Sequence, residues 1–284
     1  MKHEGIARAT SYLRCPVCSS PLVMAEGGGS LICTADTGKR HCFDLARSGY
    51  VNLDLGHNAG GDGKELVSSR TAFLESGAYS PISDAVNSFL KEYADDGFVI
   101  DAGCGEGYYT NRAALALPRS AFLGIDLSKW AVDRGAKSAT QKGSLAGFAV
   151  GGIFSLPVRN ECASAVMNLF APCAETEFSR VLSENGILVL VGAGEDHLLG
   201  LKRAVYDVPY KNTPRADLPQ NMRLVAEKRL TYTAHLDSAE TIRNLFSMTP
   251  YAFRTSREDM EKLNRLDHLD TEVDVMIYVY QKKL

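Results

Sequence analysis

The sequence predicts an α/β protein with a mainly parallel central sheet, preceded by a small cysteine-rich β module. Short apolar strands alternate with helical segments from about residue 65 to residue 193, and this alternation is typical of parallel sheets with right-handed crossovers. Four of the seven cysteines fall before this region, between Cys15 and Cys42. We therefore expect a module over residues 1–54, a linker over 55–64 and an α/β domain over 65–284.

Composition and charge limit the classes of function. The chain has 284 residues, of which 45% are hydrophobic, so a sizeable core is expected. The net charge of -3 excludes a global cationic surface, and any nucleic-acid site must be a local patch. The first residues carry scattered charges, and the densest apolar runs are shorter than the roughly 20 residues of a membrane helix. We expect a soluble cytoplasmic protein with no membrane partner.

The cysteine-rich module has the residues of a structural zinc site. Cys15 and Cys18 form a CxxC knuckle, Cys33 follows a short apolar pair, and His41 and Cys42 come next. Three thiolates and one imidazole make a closed tetrahedral site, typical of structural rather than catalytic zinc. The alternative is that these cysteines are small apolar packing residues. Either His41 or Cys42 could be the fourth ligand; we favour His41, since neighbouring side chains in an extended segment point in opposite directions.

The remaining elements follow from apolar spacing and from turn residues. Residues 44–53 alternate enough to form a final strand of the module, and residues 54–64 are rich in Gly, Asn and Asp, as in a linker. Helices are expected over 65–76, 81–93, 108–117, 128–141 and 175–182, and strands over 98–100, 122–125, 148–151, 163–170 and 186–192.

A glycine-rich turn follows the first of these strands and precedes a helix. It reads GxGxG from Gly103 to Gly107, two residues after Asp101. A carboxylate there would repel a pyrophosphate but would suit the sulfonium and ammonium groups of S-adenosylmethionine. Asp126 ends the second strand, nineteen residues after Gly107, where an acid binds ribose hydroxyls. We favour S-adenosylmethionine over a nicotinamide cofactor. The contacts predicted at this edge are Asp101, Gly103, Gly105, Gly107, Asp126, Leu127 and Ser155.

With these residues in place, the chain resembles the bacterial 23S ribosomal RNA (guanine-N1)-methyltransferases. In that family a zinc-binding amino-terminal domain precedes a class I, Rossmann-like methyltransferase domain that depends on S-adenosylmethionine. The segments that carry the resemblance are 15–18, 41–44, 49–53, 70–74, 77–79, 101–110, 170–173, 197–198, 201–202 and 248–254.

The resemblance implies methyl transfer to N1 of a guanine in a hairpin loop of 23S ribosomal RNA. It also implies that Tyr79, Glu106, Gly107 and His197 contact the cofactor. The implied zinc ligands are Cys15, Cys18, Cys33 and His41.

The group that removes the guanine N1 proton is left open by the sequence. A carboxylate, a backbone carbonyl with water, or His197 could serve. Asn168 and Phe170 end the fourth strand and could hydrogen-bond or stack the base, although Phe170 could equally belong to the core and Asn168 could be an ordinary strand-end residue.

An RNA surface is expected where cations cluster. Residues 199–230 carry Lys202, Arg203, Lys211, Arg215, Arg223, Lys228 and Arg229, and the zinc module adds Arg8, Arg14, Lys39, Arg40 and Arg47. Such runs are also found on ordinary solvated faces.

Two other functions remain open: a methyltransferase that acts on a small metabolite, and a non-catalytic RNA-binding adaptor. The intact Asp101 and Asp126 argue against the adaptor. A homodimer is one of the oligomeric states that the sequence leaves open.

Overall fold

The amino-terminal module is a small antiparallel sheet entered through a helix. The computed structural model describes residues 3–35, 38–56, 61–213, 215 and 217–283. Helix α1 (Glu4–Ala9) and a 3-10 turn (Thr10–Tyr12) lead into strands β1 (Leu22–Met24), β2 (Ser30–Cys33) and β3 (Cys42–Asp44). These strands pair in sequence order, with β2 in the centre.

The rest of the chain alternates strands and helices up to residue 205 and ends in two long antiparallel strands with two helices between them. Its first elements are β4 (Val51–Asn52), α2 (Lys64–Glu75), α3 (Ser80–Tyr93), β5 (Phe98–Ala102), α4 (Tyr108–Ala116), β6 (Ala121–Asp126), α5 (Lys129–Lys142) and β7 (Ala146–Val150). They are followed by β8 (Ala163–Leu169), α6 (Glu175–Val181), β9 (Leu182–Ala193), α7 (Leu199–Val205), β10 (Met222–Leu236), α8 (Ala239–Ser247), a 3-10 turn (Ala252–Arg254), α9 (Arg257–Asn264) and β11 (Leu269–Lys282).

One eight-stranded sheet organises these elements. Its strand order is β10-β11-β9-β8-β5-β6-β7-β4, and the six strands from β9 to β4 are parallel. Strands β11 and β10 are added antiparallel at one edge. The predicted mainly parallel sheet is confirmed. The strand order reverses beside β5, where open α/β sheets bind their ligands at the carboxyl edge.

Strand β4 differs from the prediction, which placed residues 44–53 in the sheet of the module. Val51 and Asn52 instead pair in parallel with Ala149 and Val150 of β7, so β4 is the edge strand of the large sheet. Alternation of apolar and polar residues predicts a strand but does not reveal which strand it pairs with. The predicted linker over 55–64 lies partly outside the described residues, which omit 57–60.

The carboxyl-terminal pair of antiparallel strands was not predicted. Strand β10 is an edge strand whose outward side chains include Arg223, Glu227 and Lys228, so its apolar alternation is interrupted. Its partner β11 is buried between β10 and β9 and carries Val273, Val275 and Ile277 in the core.

The sheet is covered on both faces by apolar packing. Residues of β5 alternate between the two layers, Val99 in one and Ile100 in the other. Within the described part of the chain, every helix is too short or too polar to cross a membrane.

Candidate functional site

Four predicted metal ligands come together in the amino-terminal module. One ligand atom each from Cys15, Cys18, Cys33 and His41 lies within 4.8 Å of all the others. His41 Nδ1 lies 3.6 Å from Cys15 Sγ and 3.5 Å from Cys33 Sγ. Hydrogen bonds from Ser20 lower the pKa of the Cys18 thiol to about 7. A closed set of three sulfurs and one nitrogen fits structural Zn²⁺.

Cys42 lies outside this group. Its side chain is exposed on β3, while His41 Nδ1 faces the other ligands. The backbone N–H of His41 also donates to Cys33 Sγ at 3.1 Å. The two neighbours point in opposite directions, as extended backbone requires.

A cavity of about 920 Å³ opens at the carboxyl edge of the large sheet. One part, here called the cofactor half, is lined by residues 61–62, 70, 101, 103–106, 126–127 and 152–154. The other part, called the acceptor half, is lined by residues 169–172, 192–193, 197–198, 212, 215, 217, 245 and 248–251. Tyr79 also lines this cavity.

Most of the predicted cofactor residues line the cavity, but three of the predicted site residues do not. Those on the lining are Tyr79, Asp101, Gly103, Gly105, Glu106, Asp126, Leu127, Phe170 and His197. Those outside it are Gly107, Ser155 and Asn168.

Each of the three has a different environment. A Cβ at Gly107 would lie 2.5 Å from the Phe148 ring, so this glycine permits packing beneath the loop. Ser155 is exposed beyond Phe154, which lines the cavity in its place. Asn168 is buried and donates through Nδ2 to the carbonyl oxygens of Ala102 and Pro172, at 2.9 and 3.1 Å. These bonds tie the end of β8 to β5.

The glycine loop is held against β6 by Asp126. Its Oδ2 accepts from the Gly105 N–H at 3.0 Å and its Oδ1 accepts from the Ser128 N–H at 2.8 Å. Burial raises the pKa of this carboxyl, and the two backbone donors oppose that shift. Gly103 and Gly105 have φ values of +85° and +53°, a backbone region that favours glycine.

Asp101, a predicted contact to S-adenosylmethionine, is almost completely buried. The residue is only 2% exposed, and one oxygen accepts from the Thr110 hydroxyl at 2.6 Å. Burial raises its pKa to about 7, and the hydrogen bond from Thr110 opposes the shift.

Arg70 was missed as a site residue. It lies on the cavity wall, where its Nε donates to Glu106 at 2.5 Å and its Nη1 to Asp62 at 2.5 Å. A signal was present in the sequence, because Arg70 lies three residues after Val67 and four before Leu74, both on the buried face of α2. A charged residue on an apolar helix face indicates a buried partner.

Phe170 forms an aromatic wall in the acceptor half. Its side chain is 44% exposed, and its ring centroid lies 6.3 Å from that of Tyr79 and 6.0 Å from that of His197. Its φ of +53° is rare for a non-glycine residue, and such strain is often found at functional sites. Phe170 is therefore not a core-packing residue, which was the alternative that the sequence left open.

His197 has both ring nitrogens engaged. Nδ1 accepts from the Asp274 N–H at 3.3 Å, so Nε2, which lies 3.1 Å from the Tyr79 hydroxyl, carries the proton. Burial lowers its pKa to about 4, which keeps the ring neutral. With no lone pair left, this histidine orients Tyr79 and is poorly suited to remove a proton.

The predicted basic segment is largely neutralised within the protein. Lys202 is 1% exposed and donates to Tyr210 O and Asn212 Oδ1. Four other cations pair with carboxylates: Arg203 with Glu272, Lys211 with Asp196, Arg215 with Asp217, and Arg229 with Asp274. Arg223 and Lys228 are exposed on β10.

The predicted basic rim of the zinc module is reduced in the same way. Arg8 donates to backbone carbonyl oxygens of Pro118 and Arg119, and Arg14 lies 3.8 Å from Glu177. Lys39, Arg40 and Arg47 are exposed.

Comparison with known proteins covers both parts of the chain. Residues 94–234 match a family model described as a methyltransferase domain, and residues 13–54 match one described as the amino-terminal part of RlmA.

Three curated proteins are similar to this chain over most of its length. The inferred 23S rRNA (guanine-N1)-methyltransferase YxjB of Bacillus subtilis (strain 168) is 31% identical to this chain, in an alignment that covers 96% of this chain and 98% of YxjB. The 23S rRNA (guanine(748)-N(1))-methyltransferase of Streptomyces fradiae is 30% identical, covering 88% and 89%. An inferred 23S rRNA (guanine-N1)-methyltransferase of Micromonospora griseorubida is 32% identical, covering 67% and 68%.

Proposed function

Because this chain belongs to the 23S rRNA (guanine-N1)-methyltransferases, we propose that it methylates N1 of a guanine in a hairpin loop of 23S rRNA. Family membership favours this reaction over a metabolite methyltransferase and over a non-catalytic adaptor. The single observation that carries the proposal is the cavity, which joins a glycine loop and Asp126 on one side to the exposed ring of Phe170 on the other.

The cofactor half fits S-adenosylmethionine. A Cβ at Gly103 would lie 2.8 Å from Ala171 Cβ, and one at Gly105 would lie 3.0 Å from Arg70, so only bare backbone leaves room there. Asp126 keeps lone pairs for the ribose hydroxyls, and Leu127 lies beside it on the wall. When bound, the cofactor supplies an electrophilic methyl group on a sulfonium.

The acceptor half fits an unstacked purine. A base inside a helix is out of reach of the methyl donor, so a flipped or unpaired guanine must enter. Phe170 offers a ring face on which that guanine can stack. The Tyr79 hydroxyl oxygen accepts a hydrogen bond from the His197 Nε2–H, which leaves its own O–H to donate elsewhere in this region.

Exposed apolar side chains that lie within a few residues of Asn212 and Tyr251, both on the acceptor-half lining, suit the bases beside the target. Val208, Tyr210 and Phe253 are 83%, 52% and 81% exposed. They lie on two segments joined by a 2.6 Å hydrogen bond between Tyr206 and Thr255. Single-stranded RNA binds by stacking bases on aromatic rings, here those of Tyr210 and Phe253. Lys39, Arg40 and Arg47 offer phosphate contacts on the module over residues 1–54, and residues 65–284 form the catalytic domain in this proposal.

The experiment is methyl transfer in vitro. Purified protein, labelled S-adenosylmethionine and an unmodified 23S rRNA hairpin fragment should yield N1-methylguanine, identified by mass spectrometry. An absence of transfer, or a methyl group on another atom, would contradict the proposal.

Phe253 provides a matched test of the RNA surface. Phe253→Ala should raise the KM for RNA about tenfold through the loss of one stacked base, while cofactor affinity stays unchanged. Tyr93→Ala is the control, because Tyr93 is exposed at the end of α3, outside the cavity lining. Equal effects of the two variants would remove Phe253 from the proposed RNA surface.

A further inference from the structure

Asp217 is a carboxylate held rigidly in the acceptor half. Arg215 Nε donates to Oδ1 at 2.5 Å, and Arg215 Nη2 donates to Oδ2 at 2.7 Å. The Cys173 N–H donates to Oδ2 at 2.9 Å, and Arg215 also donates to the Ala171 carbonyl oxygen at 2.8 Å. The pair is therefore fastened to the segment that carries Phe170. The Asp217 side chain remains 45% exposed.

The other carboxylates on the cavity wall belong to the cofactor half and have other partners. Asp62 and Glu106 pair with Arg70, Asp101 accepts from a buried hydroxyl, and Asp126 accepts from the glycine loop. Among the cavity-lining residues that the structure describes, Asp217 is the one carboxylate of the acceptor half.

The Asp217 carboxylate can accept one more hydrogen bond. An ionised carboxylate has about four lone-pair sites, and the contacts from Arg215 and Cys173 occupy both sites on Oδ2 and one on Oδ1. One acceptor site on Oδ1 is left for a ligand. Guanine presents an N1–H donor to such a site, whereas adenine presents a bare N1 whose lone pair the carboxylate would repel.

We infer that Asp217 Oδ1 accepts the N1–H of the target guanine, selects guanine over adenine and takes the N1 proton during methyl transfer. This inference rests on the proposed function. The bond from N1 to the methyl carbon forms as the bond from sulfur to that carbon breaks, and the electron pair of the broken bond stays on sulfur. The proton leaves N1 for Oδ1 and passes to water through the exposed side of the carboxylate.

The charge state of Asp217 suits this role. Hydrogen bonds from Arg215 lower the pKa of the Asp217 carboxyl to about 2, so the carboxylate is ionised at neutral pH. A weak base is sufficient here, because an N1 that holds both a methyl group and a proton is cationic and strongly acidic. A low pKa also releases the proton to solvent and readies the site for the next turnover.

The test is the pH dependence of Asp217→Asn. Single-turnover transfer to the hairpin fragment is measured from pH 6 to 9 with saturating S-adenosylmethionine. At pH 7 the variant should be at least 100-fold slower, and its rate should rise tenfold per pH unit, because it now requires guanine that has already lost the N1 proton. The wild-type rate should be nearly independent of pH.

Two further variants separate catalysis from folding. Asp217→Glu keeps the carboxylate, so its rate should be lower than wild type but independent of pH. Asp95→Asn is the matched control, since Asp95 also pairs with an arginine, Arg119, but lies outside the cavity lining and the proposed RNA surface, and its rate should stay within twofold of wild type.

The outcomes distinguish this inference from the proposed function. An Asp217→Asn rate within threefold of wild type, or a loss of equal size at every pH, would overturn the role of Asp217 while N1 methylation by the wild type stands. A wild-type protein that places no methyl group on guanine N1 would overturn both.

Discussion

Arg70 balances buried negative charge at the cofactor half. Glu106 is 5% exposed, and its counter-charge is the guanidinium of Arg70. Arg70→Ala should therefore lower the free energy of unfolding by about 3 kcal/mol, because a buried carboxylate loses its partner. Urea unfolding measures the change. Lys137→Ala breaks an exposed pair with Asp133 and should cost less than about 1 kcal/mol. Similar losses in the two variants would contradict the structural role of Arg70.

Asp101 makes the stability of the cofactor-free protein depend on pH. Its pKa of about 7 lies above the ordinary value of 3.8, so the folded state binds this proton more tightly than the unfolded chain does. The protonated Asp101 therefore stabilises the folded state fully at low pH, and this stabilisation is lost as the pH rises from about 4 to 7. Asp101→Asn removes the dependence, so its stability relative to wild type should improve between pH 5 and pH 8.

Thermal unfolding at the two pH values measures this effect, and the expected gain is on the order of a few kcal/mol. Asp84→Asn, at an exposed ion pair, serves as the control. A constant difference between Asp101→Asn and wild type would show that Asp101 is ionised in the folded protein throughout.

Site residues were predictable where backbone chemistry restricts the residue type. Gly103 and Gly105 have positive φ, and Asp126 caps the loop through backbone N–H groups, so these positions carry a sequence pattern. The sequence could not show that Asn168 bonds backbone carbonyls, or that both nitrogens of His197 are occupied. Such partners lie far away along the chain.

Helix α1 approaches the large sheet through glycine. A Cβ at Gly5 would lie 2.2 Å from the Ala146 carbonyl oxygen, and one at Gly147 would lie 2.9 Å from the Gly5 carbonyl oxygen. Gly5→Ala should push α1 away from β7 and lower the free energy of unfolding by about 1 to 3 kcal/mol. Chemical denaturation measures the loss.

Gly29→Ala is the control for that change. A Cβ at Gly29 meets nothing within 4 Å, so the expected effect is below about 0.5 kcal/mol. A Gly5→Ala protein as stable as the control would show that the helix can shift at no cost.

The elements between residues 98 and 193 were predictable to within a few residues. The strands there have short apolar runs separated by a helix or a turn, although β9 is twelve residues long and begins four residues before the predicted strand, in the polar stretch after Leu182. Strand β10 was not predictable, because its exposed edge carries charges, and β4 was assigned to the wrong sheet. Pairing is a property of the folded chain rather than of a local segment.

At the scale of the whole molecule, the zinc module is attached to the catalytic domain on both sides. The chain enters the module after α1, which contacts β6 and β7, and leaves it through β4, which pairs with β7. The Tyr12 ring stacks on Phe98 of β5, with centroids 4.2 Å apart and planes at 2°. The module therefore has a defined position relative to the cavity, as its proposed role in presenting RNA requires.

Loss of zinc should separate RNA methylation from cofactor binding. None of the described cavity-lining residues comes from residues 13–54, so His41→Ala should leave cofactor affinity within about threefold. The same variant should hold less than about half a zinc per chain and lose most RNA methylation, since a three-stranded sheet this small depends on its metal. Elemental analysis, calorimetry with S-adenosylmethionine and methyl transfer measure the three quantities.

Cys42→Ser is the matched control, because Cys42 is the exposed neighbour of His41. It should keep zinc and activity. Full zinc content in His41→Ala would reject His41 as a ligand, and zinc loss in Cys42→Ser would assign that position to Cys42. Loss of cofactor affinity and RNA methylation by the same factor in His41→Ala would mean that the module stabilises the whole protein instead of presenting its substrate.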